Sequence, residues 1–184
     1  GVMNVENMFL TPLGWSELNL DTNKVEQYCH SKLGSTNQSS KLDWELPNEL
    51  VYTFTQQANI FHKECGLKHS VEILDSWCNY SNPEKIVKPH SHPQAFYVGV
   101  YYLYDSDAKI NFINPLSQLE NLIPPDLVEH YNPFNRQEMS YYPRKGMFLI
   151  HPAWILHYVD NIPGERLSIA MNFKIVSHDT VDNP

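Results

Sequence analysis

"VKPHSHPQAFYVGVYYL", residues 87–103, sets His90 and His92 one residue apart just ahead of an uncharged run, Phe96 to Leu103, that is aromatic or aliphatic throughout except for Gly99. Such residues suit a pleated surface, and an apolar run of this length reads as a buried strand. If the extended backbone reaches back over the histidines, residues two apart share a face and both imidazoles project the same way. A histidine pair at that spacing fits half of a metal site. It equally fits a polar corner in which each ring bonds to the backbone, so the decision has to come from other parts of the chain.

Working outward, the same strand character recurs in "HSVEILDSWCNY" (69–80), "KINFIN" (109–114), "GMFLIHP" (146–152), "ILHYVD" (155–160) and "RLSIAMNFKIV" (166–176), separated by Pro, Gly, Asn and Asp. Upstream, "DTNKVEQYCHSKL" (21–33) and "PNELVYTFTQQANIFHKECG" (47–66) have helical periodicity. Leu50, Phe54, Ala58, Phe61 and Cys65 define the apolar face of the second helix, and Gly66 stops it. The polar stretch 31–41 reads as a surface connector. Helices followed by short strands with none between them predict a mostly β fold with N-terminal helices, a jelly roll, in one domain over 1–184. Helical support over about 20–66 would buttress a β core over about 69–176. Residues 115–143, with five prolines and little periodicity, read as one long connection, long enough to be a lid.

The formal net charge of -8 and the absence of basic clusters argue against a nucleic-acid surface and for a small-molecule or peptide partner. Three cysteines without CxxC spacing suggest neither a disulfide framework nor a zinc knuckle. With no signal-like start and no membrane-length apolar run, the expected location is the cytoplasm. Nothing in the sequence specifies an oligomeric state.

The decisive second stretch is "HPAWILHYVDNIPGERLSIAMNF", 151–173. His157 lies on a strand, a Pro/Gly turn follows, and Arg166, Ser168, Ala170 and Asn172 then alternate onto one face. A guanidinium facing inward among apolar neighbours needs an anion, because burying an unpaired charge is costly and a carboxylate pairs with arginine in bidentate fashion. An exposed arginine after a turn remains the alternative.

Together, Trp77, Asn79, the His90-Ser91-His92-Pro93 segment, "GVYYL" (99–103), His157 with Val159, the Arg166-Leu167-Ser168-Ile169 segment and Asn172-Phe173 form an ordered pattern. Over roughly residues 71–175 it resembles the 2-oxoglutarate- and iron(II)-dependent oxygenases, in particular small members of the prolyl-4-hydroxylase-like group. The resemblance implies a double-stranded β-helix (a cupin-like jelly roll) and a hydroxylase that uses Fe(II), 2-oxoglutarate and dioxygen, with ascorbate considered as a further reductant. It assigns His90 and His157 as metal ligands, Arg166 and Ser168 to the far carboxylate of 2-oxoglutarate, Tyr102 to the cosubstrate, and Asn172 to the pocket lining. The pattern departs from the family at one point, since His92 stands where the usual motif has a carboxylate. That implies a three-histidine centre of His90, His92 and His157, which still suits iron but carries one negative charge fewer. A shifted motif pairing His92 with Gln94 is the less favourable alternative, because an amide oxygen is a poor iron ligand. With Arg166 the three histidines make up the expected catalytic set. The leading substrate guess is prolyl, peptidyl or amino-acid; a cupin-type enzyme without 2-oxoglutarate and a non-enzymatic binding module stand as alternatives. Trp77 and Asn79 share the strand parity of Val71 and Ile73 and are expected on the pocket floor or in the core. His151 is expected to be a satisfied structural histidine, and His30, His62, His69, His130 and His178 are given no role.

Overall fold

The computed structural model describes residues 1–33, 45–81, 87–118 and 123–177. Among these residues, nine strands and two helices follow one another as β1 (Gly14–Glu17), α1 (Thr22–Leu33), α2 (Asn48–Glu64), β2 (Ser70–Ser81), β3 (Val87–His90), β4 (Tyr97–Tyr102), β5 (Ile110–Ile113), β6 (Glu138–Tyr141), β7 (Met147–Pro152), β8 (His157–Val159) and β9 (Arg166–Val176). They form two antiparallel sheets, one ordered β1-β7-β4-β9-β2 and the other β3-β8-β5-β6. The fold is the expected mostly β jelly roll, a double-stranded β-helix with two helices ahead of it.

Period-2 alternation sorts the larger sheet's side chains between two environments. On its outer face, Cys78, Tyr101, Phe148, Ile150, Ile169, Met171 and Phe173 pack with Val25 and Cys29 of α1 and Leu50, Phe54 and Ala58 of α2. On the inner face, Met147 and Leu149 meet Ile110, Phe112 and Ile155 from the smaller sheet's side. Complete burial of an aromatic such as Phe54, Tyr101 or Phe173 is worth about 1.5–3 kcal/mol each, so the helix-facing layer is a principal clamp on the sheet that carries the site. Gly99 lies in this layer because a Cβ there would come within 2.9 Å of Phe173 Cε2 and 3.0 Å of Phe148 Cε2.

Three sequence expectations change. The buried row of α2 is Leu50, Phe54, Ala58 and His62, with His62 in the seat expected for Phe61. Its ring is satisfied at both ends, by Tyr97 Oη at 2.9 Å and the Lys68 carbonyl at 2.7 Å, which lets a histidine occupy an apolar face. The 115–143 connection is interrupted by β6, which pairs with β5, and by short 3-10 turns at 115–118 and 125–127. Finally, β1 adds an unforeseen edge strand along β7, too short for periodicity to reveal. Part of the 31–41 connector and His178 lie outside the described residues.

Candidate active site

His157 sits on β8 opposite His90 at the end of β3 and opposite Phe112 of β5. His92 lies beyond β3, in a turn closed by Ala95 N–H donating to the His92 carbonyl at 3.1 Å. The expectation that the two histidines share a strand face is therefore wrong in its reason: the strand ends at His90. The turn is pinned instead, with His92 N–H donating to Ala153 O at 2.9 Å, Ala153 N–H to Phe96 O at 3.0 Å, and Phe96 N–H to Phe173 O at 2.8 Å. The three rings converge regardless, at centroid separations of 4.4 Å (His90–His157), 5.1 Å (His90–His92) and 5.2 Å (His92–His157). One ring nitrogen from each lies within 4.8 Å of the others, and this is the one such group found among the described residues.

The hydrogen bonds fix which nitrogens face the centre. His90 Nδ1 bonds Lys88 O at 2.7 Å, His157 Nδ1 bonds Ile155 O at 3.0 Å, and His92 Nδ1 bonds Asn172 Oδ1 at 2.8 Å. A carbonyl oxygen only accepts, so each Nδ1 is the N–H donor and each Nε2 carries the lone pair, the arrangement a metal-ligating imidazole adopts. Burial first, then repulsion from the other two rings, lowers the His157 pKa from 6.5 to about 4. Three imidazoles with converging Nε2 atoms suit a borderline transition metal, and iron(II) is within that range. The residues fit the group.

The floor of the site is the inner face of β2, β9 and β4 in strict register. Asn172 is flanked by Asp75 and Val98, Ala170 by Trp77 and Val100, and Ser168 by Asn79 and Tyr102. Residues directly opposite in an antiparallel ladder share a face, so these make three rows of three, and all nine line one cavity of about 590 Å³ together with His90, His92, His157 and Arg166. Every residue assigned to the site from sequence lines this cavity. Gln94 also borders it. Within the 115–143 segment, Pro143 alone among the described residues touches the cavity.

Trp77 and Asn79 do not share the face of Val71 and Ile73, contrary to the parity of the sequence. The register slips between Ile73 and Asp75, a β-bulge at Leu74. Val71 and Ile73 consequently pack toward the helices, whereas Asp75, Trp77 and Asn79 face the cavity. Trp77 stacks on His92 at 6.0 Å and 15°. Asp75, which no motif in the sequence marks, accepts from Asn172 Nδ2 at 2.7 Å. The missed signal was the bulge, invisible to periodicity, after which alternation puts Asp75 in the row of Trp77 and Asn79.

Arg166 is half-buried, and burial lowers its pKa while the Asp160 carboxylate opposes that shift. Its Nη1 donates to the Asp160 carbonyl at 3.3 Å, so the guanidinium is anchored by the protein at the cavity edge. Burial raises the Tyr102 phenol well above its ordinary pKa, which keeps it a protonated donor at the cavity wall. Behind the site, His151 departs from expectation: Nδ1 bonds Pro152 O at 2.8 Å, but the buried Nε2 has no partner among the described residues. Its ring lies 4.7 Å from that of His157, and burial lowers its pKa to about 3.

A jelly roll with a converging histidine triad at one end of its sheets defines a cupin-like metalloprotein. Residues 75–172 match the family described as "Putative 2OG-Fe(II) oxygenase", and the chain belongs to that family, whose cofactors are Fe(II) and 2-oxoglutarate. No curated protein matches the sequence. Among solved structures, the chain is similar to iron-bound HygX from Streptomyces hygroscopicus (11% identity, TM-score 0.58, covering 90% of this chain and 83% of that one). It is also similar to a Pseudomonas putida prolyl-4-hydroxylase (15%, 0.57, 91% and 89%) and to the viral collagen prolyl hydroxylase of Paramecium Bursaria Chlorella virus-1 (12%, 0.62, 95% and 99%). At these identities the likeness establishes the double-stranded β-helix fold. No helix among the described residues is long and apolar enough to cross a membrane.

Proposed function

We propose that the protein hydroxylates an unactivated C–H bond in a prolyl, peptidyl or amino-acid substrate, with His90, His92 and His157 holding iron(II) and Arg166 and Ser168 holding the far carboxylate of 2-oxoglutarate. The observation that carries this reading is the gathering of three imidazoles, a half-buried guanidinium and the Ser168–Tyr102 row in one cavity of a chain from the 2OG-Fe(II) oxygenase family. The balanced reaction is 2-oxoglutarate plus dioxygen plus R–H giving succinate, carbon dioxide and R–OH. Bound iron supplies the dioxygen chemistry; the protein's share is placement and the exclusion of water.

Each side chain then has a task its position suits. Arg166 offers a planar pair of N–H donors to a carboxylate, and Ser168, opposite both Asn79 and Tyr102 in the ladder, adds a hydroxyl donor to the same end. Ala170, flanked by Trp77 and Val100, keeps the middle of the floor low, so a short dicarboxylate can lie between the guanidinium and the histidines. The acidic overall charge disfavours nucleic acid as substrate, and a cytoplasmic setting fits three free thiols. The test is succinate release from 2-oxoglutarate with Fe(II) across a panel of proline-containing peptides and free amino acids, with His157→Ala as blank. Succinate release stimulated by a panel member and absent in the variant is expected; stimulation that persists in His157→Ala would overturn the assignment.

A further inference from the structure

We infer that Asp75 is a positioning residue of the metal centre: acting through Asn172, it selects the tautomer of His92 that can hold a metal ion. The inference rests on the reading of His90, His92 and His157 as ligands. Its basis is a polar chain that crosses two strands and ends on the turn, from Asp75 Oδ1 to Asn172 Nδ2 at 2.7 Å and from Asn172 Oδ1 to His92 Nδ1 at 2.8 Å.

The chain has a direction because its first member has only one hydrogen-bonding character. At neutral pH a carboxylate only accepts, so the amide must turn its NH2 toward Asp75 and its oxygen toward His92. An oxygen facing Nδ1 requires the proton on Nδ1, and a neutral imidazole with Nδ1–H has its lone pair on Nε2. Reversing the amide would place NH2 against Nδ1, move the ring proton to Nε2 and block coordination there. His90 and His157 are not exposed to this ambiguity, because their Nδ1 protons go to the backbone carbonyls of Lys88 and Ile155, which cannot reverse. His92 lies off the strands and takes its acceptor from a rotatable side chain, so it is the ligand that needs a polarity setter.

The fold puts one there deliberately. Asp75 is the first residue after the bulge at Leu74 and sits directly opposite Asn172. Without the extra residue, alternation from Ile73 would turn position 75 toward the helices. Trp77, two residues on, stacks against the His92 ring and limits its rotation. Outer-shell partners of this kind orient a ligand and raise its basicity, and their loss typically weakens metal affinity about 10–100-fold.

The experiment compares the full chain with Asp75→Asn, an isosteric change whose amide can donate as well as accept. In the metal-free proteins, long-range 1H–15N NMR of the histidine rings reads the His92 tautomer; Ni(II) titration by calorimetry reads affinity, and circular dichroism checks the fold. The wild type should show Nδ1–H at His92. The variant, equally folded, should show a shift toward Nε2–H and bind Ni(II) about tenfold or more weakly. An unchanged tautomer together with unchanged affinity overturns the role of Asp75. A wild type that binds no Ni(II), or a His157→Ala variant that binds it equally well, overturns the three-histidine reading instead, and the metal-free tautomer measurement still decides the Asp75 relay.

Discussion

His90 and His157 face each other across the β3–β8 pairing with ring centroids 4.4 Å apart, and each commits Nδ1 to the backbone carbonyl two residues earlier in the chain. Two ligands are thus set by backbone geometry at the end of the smaller sheet. The third, His92, is delivered by a turn pinned to Ala153 O and aligned by Asn172 from the larger sheet. The site therefore straddles the two sheets, and its integrity depends on their packing as much as on the ligands.

Arg166→Ala should weaken 2-oxoglutarate use without removing metal. Hydrogen bonds to a charged group contribute about 1.5–3 kcal/mol, so the 2-oxoglutarate concentration for half-maximal turnover should rise about ten- to a hundredfold while Ni(II) affinity stays at the wild-type value. Equal loss of both would mean that Arg166 supports the fold of the site rather than the cosubstrate.

The metal-free protein should lose stability on acidification below neutral pH. Burial is the main cause that lowers His157 to about 4 and His151 to about 3, from 6.5. Between 6.5 and about 4 the unfolded chain binds protons that the native state refuses, so stability rises with pH across that window and levels off above it. The slope should approach about 1.4 kcal/mol per pH unit for each histidine. Urea unfolding from pH 4.5 to 7 measures it, and His151→Phe should reduce the slope; a flat profile would show that neither ring is buried in its neutral form.

Gly99→Ala should destabilise without touching the centre. The new methyl would meet the rings of Phe173 and Phe148 on the sheet face opposite the cavity. Overpacking of this kind costs about 1–3 kcal/mol, or about 2–4 °C in Tm for each kcal/mol in a chain this long. Thermal unfolding should register the loss while Ni(II) affinity at 20 °C is unchanged; an unaltered Tm would contradict the tight contact.

The jelly roll was legible because its long strands carry buried, β-branched and aromatic runs, and the site because Arg166, Ser168, Ala170 and Asn172 alternate strictly along β9. What stayed hidden was what periodicity cannot carry. The four-residue β1 and β6 are too short to show alternation, and the bulge at Leu74 shifts parity by one residue without any compositional mark. His92 meets the other two rings from a turn rather than from the expected strand, because its position is set by a backbone bond to Ala153, distant in sequence. Asp75 was missed for the same reason as the bulge. The seat of His62 on the apolar face of α2 was missed because its two partners, Tyr97 and Lys68, become neighbours only in the folded chain.

The most direct measurement is an anaerobic titration of the metal-free protein with Fe(II) and then 2-oxoglutarate, followed by visible absorbance. One equivalent of iron should bind, 2-oxoglutarate should then raise a metal-to-ligand charge-transfer band, and His157→Ala should show neither. Iron that binds without any such band, or a band that survives in His157→Ala, would contradict the three-histidine oxygenase centre.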